Sequence, residues 1–217
     1  MEVYNTVVRF YQEGGPFMHP ILAVMALGLA IALERYIYLS RAKRQNRRAW
    51  DALLPLVQSG RLREAKALAD RNDTALHQIV GYGLARMSET DNRQEIEMAM
   101  EEGLMEVTPR LEKRTHYLAT LANIATLLGL LGTIIGLISA FSSISLANPN
   151  EKAQLLSSSI SVAMNTTAFG LIVGIPLLLV HAFLQAKTTQ LVDSLEMAAV
   201  KVVNSIKDRA VPQQEAA

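Results

Sequence analysis

Cysteine is absent from this chain of 217 residues. The absence excludes disulfide bonds, thiolate catalysis and cysteine-based metal sites. Charge is also missing over long stretches, because residues 115–150 and 153–186 contain no Asp, Glu, Lys or Arg. The net charge is only +1, which argues against nucleic acid as a partner. The sequence therefore separates apolar blocks from charged segments, as membrane proteins do.

Three apolar blocks are long enough to cross a membrane. A bilayer core of about 30 Å needs roughly 20 apolar residues in a helix, and residues 17–39 and both uncharged stretches meet that length. No alternating pattern typical of strands is visible. The sequence predicts an all-α, polytopic membrane protein with three transmembrane helices, of which the second and third extend into a cytoplasmic helical domain.

Basic residues set the expected orientation. Five of them follow the first apolar block between Arg41 and Arg48, three precede the second block (Arg110, Lys113 and Arg114), and Lys187 follows the third. Because Lys and Arg collect on the cytoplasmic side, we expect a periplasmic N-terminus and a cytoplasmic C-terminus in a bacterial inner membrane. No cleavable signal peptide is expected, since the first residues lack a basic region.

These features divide the chain into seven predicted segments. Within the cytoplasmic part, Thr108-Pro109 predicts the start of the helix that becomes the second crossing. A disordered tail is expected from Val211. The segments are a periplasmic N-terminal segment (1–16), transmembrane helix 1 (17–39), a cytoplasmic helical domain (40–115), transmembrane helix 2 (116–143), a periplasmic loop (144–156), transmembrane helix 3 (157–185), and a cytoplasmic C-terminal helix and tail (186–217).

Small residues form a stripe on each of the last two transmembrane helices. Such stripes let helix backbones approach closely within a membrane. The predicted packing glycines are Gly129, Gly132 and Gly136 on the second helix, and Gly170 and Gly174 on the third.

Each stripe contains one threonine. Thr133 lies ten residues before Ser143, and Thr167 lies ten residues after Ser157. At about 1.5 Å per residue both side chains lie ~15 Å below the same membrane face, so they are predicted to meet near the bilayer midplane. Taken alone, either threonine is equally consistent with ordinary helix packing, in which its hydroxyl bonds its own helix.

Asn165 and Thr166 precede the second of these threonines and can also offer polar groups to an ion path. An asparagine clamp between helices is the equal alternative. An ion path through hydrocarbon usually needs an ionisable group, and the second and third blocks hold none except His116 and His181 near their cytoplasmic ends. Three helices also cannot enclose a pore. We therefore expect an oligomer and a partner that supplies a carboxylate.

With these residues placed, the chain resembles the MotA/TolQ/ExbB proton-channel family, and most closely its ExbB and TolQ branch. The resemblance covers nearly the whole chain. The matching motifs are Gly14-Gly15-Pro16 with Pro20, Leu33-Glu34-Arg35, Pro109-Arg110-Leu111-Glu112, Leu118-Ala119-Thr120, the GLLGTIIGL run over 129–137, and Thr167-Ala168-Phe169-Gly170-Leu171 with Pro176.

The resemblance implies a homopentamer around a central space that holds the helices of an ExbD- or TolR-like single-helix partner dimer. It implies that Thr133 and Thr167 face that space and that the partner's aspartate carries the ion. The expected function is that of a stator subunit, driven by H⁺ on family grounds, that energises a TonB- or TolA-like arm. Membrane lipids are further expected contacts, and nucleic acid is not.

Two positions depart from the family pattern. Val162 stands where many members carry a glutamate, and Thr126 replaces a common proline. Because Val162 replaces the glutamate, Na⁺ remains an alternative to H⁺ as the transported ion.

Other functions remain open as alternatives. A flagellar-type or gliding stator, H⁺- or Na⁺-driven, is the alternative within the family, and a non-conducting membrane scaffold is the alternative of another class. No nucleophile–base pair, metal cluster or phosphate loop is recognisable, so neither enzymatic activity nor a metal or cofactor is expected.

Overall fold

The computed structural model describes residues 2–90, 92–146 and 148–210, and they are almost entirely helical, with no strand among them. The predicted all-α fold is therefore confirmed. Three helical regions within this part of the chain are long and apolar enough to span a membrane. The predicted tail from Val211 lies outside the described residues. The helices are α1 (Glu2–Glu13), α2 (Met18–Gln58), α3 (Leu62–Asp70), α4 (Ala75–Met87), α5 (Arg93–Glu112), α6 (Thr115–Leu146) and α7 (Lys152–Ala210).

The chain forms two compact units. The apolar unit comprises Met1–Glu34 and Arg114–Phe183, and the polar unit comprises Arg35–Lys113 and Leu184–Ala217. Helices α2 and α7 contribute residues to both units, whereas α6 belongs to the apolar unit alone.

In the apolar unit, many large apolar side chains lie on the surface, and several small ones lie in the interior. Ala122, Ala125, Ala140 and Ala163 are buried, while bulky residues such as Leu127 are largely exposed. An exterior of large apolar side chains suits a surface solvated by lipid tails. Further large exposed residues of the unit are Leu27, Leu33, Phe141, Ile172, Leu179 and Phe183.

The polar unit is built like a soluble helical domain. Leu53, Leu76, Ile79 and Leu195 are fully or almost fully buried. Asn46 supplies a polar tie within this core, since its side-chain oxygen accepts a 3.1 Å hydrogen bond from the backbone N–H of Leu76 in the first turn of α4. The bond satisfies one of the donors that a helix start leaves without an intrahelical partner.

The prediction that Thr108-Pro109 starts the second crossing is wrong. Pro109 lies inside α5, and the Thr108 hydroxyl bonds the Leu104 carbonyl within the same helix at 2.7 Å. The break comes later, where Lys113 is extended and Arg114 adopts a φ of +65°. Pro109 removes one backbone hydrogen bond of α5 without ending it, whereas a left-handed residue cannot continue a right-handed helix.

Arg35 stabilises the end of α5. Its guanidinium is buried, donates a hydrogen bond to the Leu111 carbonyl and lies 4.7 Å from the centre of the Tyr38 ring. A cation at a helix C-terminus pairs favourably with the carbonyls that the helix leaves open. Arg35 belongs to the Leu33-Glu34-Arg35 motif, so one residue of that motif has a defined structural role.

The burial of His77 should make the stability of the polar unit depend on pH. The ring is only 5% exposed, and burial lowers its pKa below the ordinary value of 6.5. The unfolded chain therefore binds a proton more readily, so stability is complete above pH 6.5 and falls as the pH drops below it. We expect the thermal midpoint to fall between about pH 7.5 and about pH 5.5, and to fall less in His77→Gln.

His116 is the matched control for this measurement, because its side chain is exposed. His116→Gln should retain the pH dependence of the wild type. An unchanged pH dependence in His77→Gln would contradict the assignment to His77.

Candidate functional site

The backbones of α6 and α7 touch at Gly129 and Gly170. A β-carbon added at Gly170 would lie 2.7 Å from the Ala125 carbonyl oxygen and 3.0 Å from the Gly129 α-carbon. One added at Gly129 would lie 3.2 Å from the α-carbons of Gly170 and Thr167. Gly170 leaves no room for a side chain, and Gly129 leaves very little, because the obstructing atoms are backbone.

The other predicted packing glycines lie along the same contact. A β-carbon at Gly136 would meet that of Ala163 at 2.9 Å, and one at Gly174 would approach the Ala122 carbonyl at 3.0 Å. Gly132 faces the methyl group of Thr166. The small residues of α6 thus pack against α7 of the same chain over about three helical turns.

This close approach brings Thr133 and Thr167 together. Their hydroxyl oxygens are 2.9 Å apart. The Thr167 hydroxyl also lies 2.9 Å from the Gly129 carbonyl, and the Thr133 hydroxyl lies 2.7 Å from the carbonyl of Leu130 and 3.3 Å from that of Gly129. Both side chains are partly exposed. The structure therefore places two hydroxyls in mutual contact at a surface that another molecule can reach.

Thr166, the neighbouring candidate, does something different. It is 2% exposed, and its hydroxyl lies 2.6 Å from the Gly14 carbonyl and 2.9 Å from that of Val162. The side chain therefore ties the segment between α1 and α2 to α7. The structure does not bring it into the Thr133–Thr167 contact.

Asn165 is partly exposed and lies two residues before Thr167. Among the contacts described for residues 2–90, 92–146 and 148–210, none joins its amide to either threonine of the pair. The four candidates of the sequence thus separate into a hydroxyl pair, a buried tie, and a half-buried amide.

A cavity lies beside the candidate residues in the apolar unit. It has a volume of 230 Å³ and is lined in part by Ser139, Ser159, Val162 and Thr166. Val162 therefore forms part of the wall of a cavity that also holds three hydroxyl-bearing residues. A carboxylate at this position would project among neutral oxygen atoms.

Sequence reasoning missed the contacts that α1 makes. The ring of Phe169 packs edge-on against Phe10 at 6.3 Å and against Tyr11 at 6.1 Å, and Tyr11 also packs against His19. Edge-to-face aromatic pairs are favourable beyond the area they bury. The adjacent aromatic residues Phe10 and Tyr11 near the end of α1 were the available signal, but nothing local indicates their partner in α7.

The described part of the chain offers no group of three or more His, Cys, Asp or Glu side chains that could hold a metal ion. Its candidate site therefore consists of neutral hydroxyl and carbonyl oxygens. Such groups can accept and donate hydrogen bonds and can solvate a cation, but they cannot store a charge at neutral pH.

Comparison with known proteins gives one consistent result. A sequence profile of the MotA/TolQ/ExbB proton channel family matches residues 71–197. The chain is 30% identical over 167 residues to a protein of Synechocystis described as a biopolymer transport protein, ExbB-like 3, covering 76% of this chain and 79% of that one.

Two other relatives carry similar descriptions. An ExbB homolog of Methanothermobacter thermautotrophicus is 26% identical over 195 residues, covering 89% of this chain and 68% of that one. The biopolymer transport protein ExbB of Pseudomonas putida is 27% identical over 176 residues, which cover 74% of this chain and 52% of the relative.

Proposed function

Because the chain belongs to the MotA/TolQ/ExbB proton channel family, we propose that it is the channel-forming subunit of an ion-driven membrane motor. In this proposal it assembles as a homopentamer around an ExbD- or TolR-like single-helix partner dimer. The complex uses the ion-motive force to energise a TonB- or TolA-like arm or another envelope process. The protein itself is not an enzyme.

The observation that carries the proposal is the Thr133–Thr167 contact. Two hydroxyls lie 2.9 Å apart on helices that contain no Asp, Glu, Lys or Arg over 115–146 or 153–183. A charge crossing a membrane needs an ionisable or strongly polar stop, and these hydroxyls can solvate one without carrying it. A carboxylate on the partner's helix supplies the missing group, and the threonines stabilise it in turn.

The ion is proposed to be H⁺. A family of proton channels favours it. The cavity beside Val162 favours Na⁺ as the alternative, because Ser139, Ser159 and Thr166 bring neutral oxygens to its wall.

The test is reconstitution into liposomes. The purified homo-oligomer alone should give no ion flux above that of empty vesicles, since it holds no carboxylate at depth. The complex with its partner, freed of any periplasmic plug, should give flux under a proton gradient without Na⁺. Flux from the homo-oligomer alone would disprove the borrowed carboxylate, and flux only with Na⁺ would reverse the choice of ion.

The proposed orientation gives a separate prediction. The chain has no cysteine, so single cysteines introduced at the exposed positions Gln45, Asn150 and Gln190 can be labelled without background. In intact cells an impermeant maleimide should label Asn150→Cys and leave Gln45→Cys and Gln190→Cys unlabelled, because basic residues mark the cytoplasmic side. Labelling of Gln45→Cys in intact cells would overturn the orientation. Labelling of all three in lysed cells is the control.

A further inference from the structure

An acidic and apolar stripe lies on the surface of α5. Met98 is 59% exposed and Met105 is 65% exposed. They are seven residues apart, and the exposed Glu101 and Glu102 lie between them, so all four share one face of the helix. We call these four residues the α5 stripe. Its carboxylates exclude a position against lipid tails, and its methionines are poorly suited to water.

A groove of opposite charge lies elsewhere in the polar unit, between α2, α4 and α7. It has a volume of 310 Å³. Its walls include the apolar side chains of Trp50, Leu76 and Met197, and we call this feature the basic groove. Lys43, Arg47 and Lys201 also line it, and among the described residues that form its lining there is no Asp or Glu.

A cation and an aromatic ring lie side by side in the basic groove. The Lys201 amine lies 5.9 Å from the centre of the Trp50 ring. Met197, on the same wall, is 57% exposed. The groove therefore combines apolar walls with positive charge, as the α5 stripe combines apolar side chains with negative charge.

The two surfaces lie on different sides of α7. Glu101 of the α5 stripe lines a hollow together with Ala199 of α7, whereas Leu195 and Ala198 line the basic groove that α7 shares with α2. One copy of the chain therefore cannot place its own stripe in its own groove. Two different patches that fit each other join copies head to tail, and a head-to-tail contact can close into a ring.

We propose that the α5 stripe of one copy docks in the basic groove of the next, and that this contact joins the polar units into a ring. The methionines enter the apolar part of the groove, and Glu101 and Glu102 lie beside Arg47 and Lys201. Opposite charges steer the two surfaces together and fix their register. This docking rests on the proposed function, which requires copies of the chain to assemble, and it identifies the surfaces through which they join.

Chemical cross-linking in native membranes tests the contact directly. With cysteines at both Met98 and Met197, a short bismaleimide should produce a ladder of cross-linked species that ends at the pentamer. Each single variant alone should remain monomeric, because a head-to-tail contact never brings a residue to its own copy. Co-expressed Met98→Cys and Met197→Cys chains should stop at dimers.

A matched pair of cysteines controls for random collision. Arg63→Cys with Met197→Cys places one thiol on an exposed residue of α3 outside both surfaces, and it should give no ladder. Dimers from Met98→Cys alone, or an equal ladder from the control pair, would overturn the proposed contact.

Charge reversal provides an independent test. Arg47→Glu with Lys201→Glu should reduce the pentamer fraction in native mass spectrometry about tenfold or more, and so should Glu101→Lys with Glu102→Lys, because like charges then oppose each other. All four changes in one chain should restore the pentamer. Arg63→Glu is the control and should have no effect. Failure of the four-fold variant to recover, when both double variants lose the pentamer, would also overturn the pairing.

These outcomes are separable from those of the proposed function. A wild-type oligomer that conducts with its partner but gives no ladder would disprove the docking and retain the motor. A complete ladder from a protein that gives no flux with its partner would retain the docking and disprove the motor.

Discussion

Replacing Gly170 by leucine is expected to prevent the folding of the apolar unit. A β-carbon at this position would lie 2.7 Å from the Ala125 carbonyl oxygen and 3.0 Å from the Gly129 α-carbon, so α6 and α7 would have to separate. Overpacking a core by a few methylenes already costs about 1–3 kcal/mol, and here a backbone and not a flexible side chain obstructs the new atoms. The expected measurement is loss of the monodisperse peak in size-exclusion chromatography of detergent extracts.

Gly81→Ala is the matched control. A β-carbon there would lie 3.7 Å from that of Ala69, an ordinary contact distance. Alanine inside a helix is more favourable than glycine by roughly 0.8–1.0 kcal/mol, so this variant should be unchanged or slightly more stable. A monodisperse Gly170→Leu protein at wild-type yield would mean that α6 and α7 do not touch at Gly129 and Gly170.

Removing both hydroxyls of the threonine pair should strongly reduce ion flux while the protein stays folded. Thr133→Val with Thr167→Val keeps the branched shape of each side chain but deletes the groups that lie 2.9 Å apart. We expect flux through the complex with its partner to fall by at least about tenfold, equivalent to about 1.4 kcal/mol in the barrier. Each single variant should be impaired less, and Thr133→Ser, which retains the hydroxyl, should be milder than Thr133→Val.

Thr126→Val is the control for this loss. Thr126 is on the same helix, but its hydroxyl donates to the Ala122 carbonyl one turn earlier at 3.1 Å and takes no part in the pair. Its removal should leave flux unchanged. Wild-type flux in the double variant, with an intact oligomer, would reduce the two threonines to packing residues.

The threonine pair could be predicted from the sequence because only helical geometry is involved. Two small-residue stripes, each with one threonine at the same distance from a short connection, bring the side chains together whatever the rest of the chain does. Thr166 could not be assigned in the same way. It is one residue, or about 100°, around the helix from Thr167, and its partner Gly14 is 152 residues away.

The position of the break between α5 and α6 could not be predicted from the sequence either, for a different reason. Thr108-Pro109 has the composition of a helix start, and the true break at Lys113 and Arg114 contains neither glycine nor proline. A left-handed arginine has no local sequence signal, because residues of this type avoid that conformation. Arg35 binding the Leu111 carbonyl helps to decide the position, and it comes from a residue 76 positions earlier. Tertiary contacts, not local preference, therefore set this boundary.

The hydrogen bond between the two hydroxyls can run in either direction. Thr133 and Thr167 carry one hydroxyl proton each, yet their two oxygens have the carbonyls of Leu130 and Gly129, and each other, within 2.7–3.3 Å. Either threonine can therefore donate to the other while the second donates to a carbonyl, and every oxygen and carbon remains in place. The pair has two opposite polarities that differ only in where two hydrogen atoms point. A group approaching from one side can thus reverse the local dipole without moving either helix.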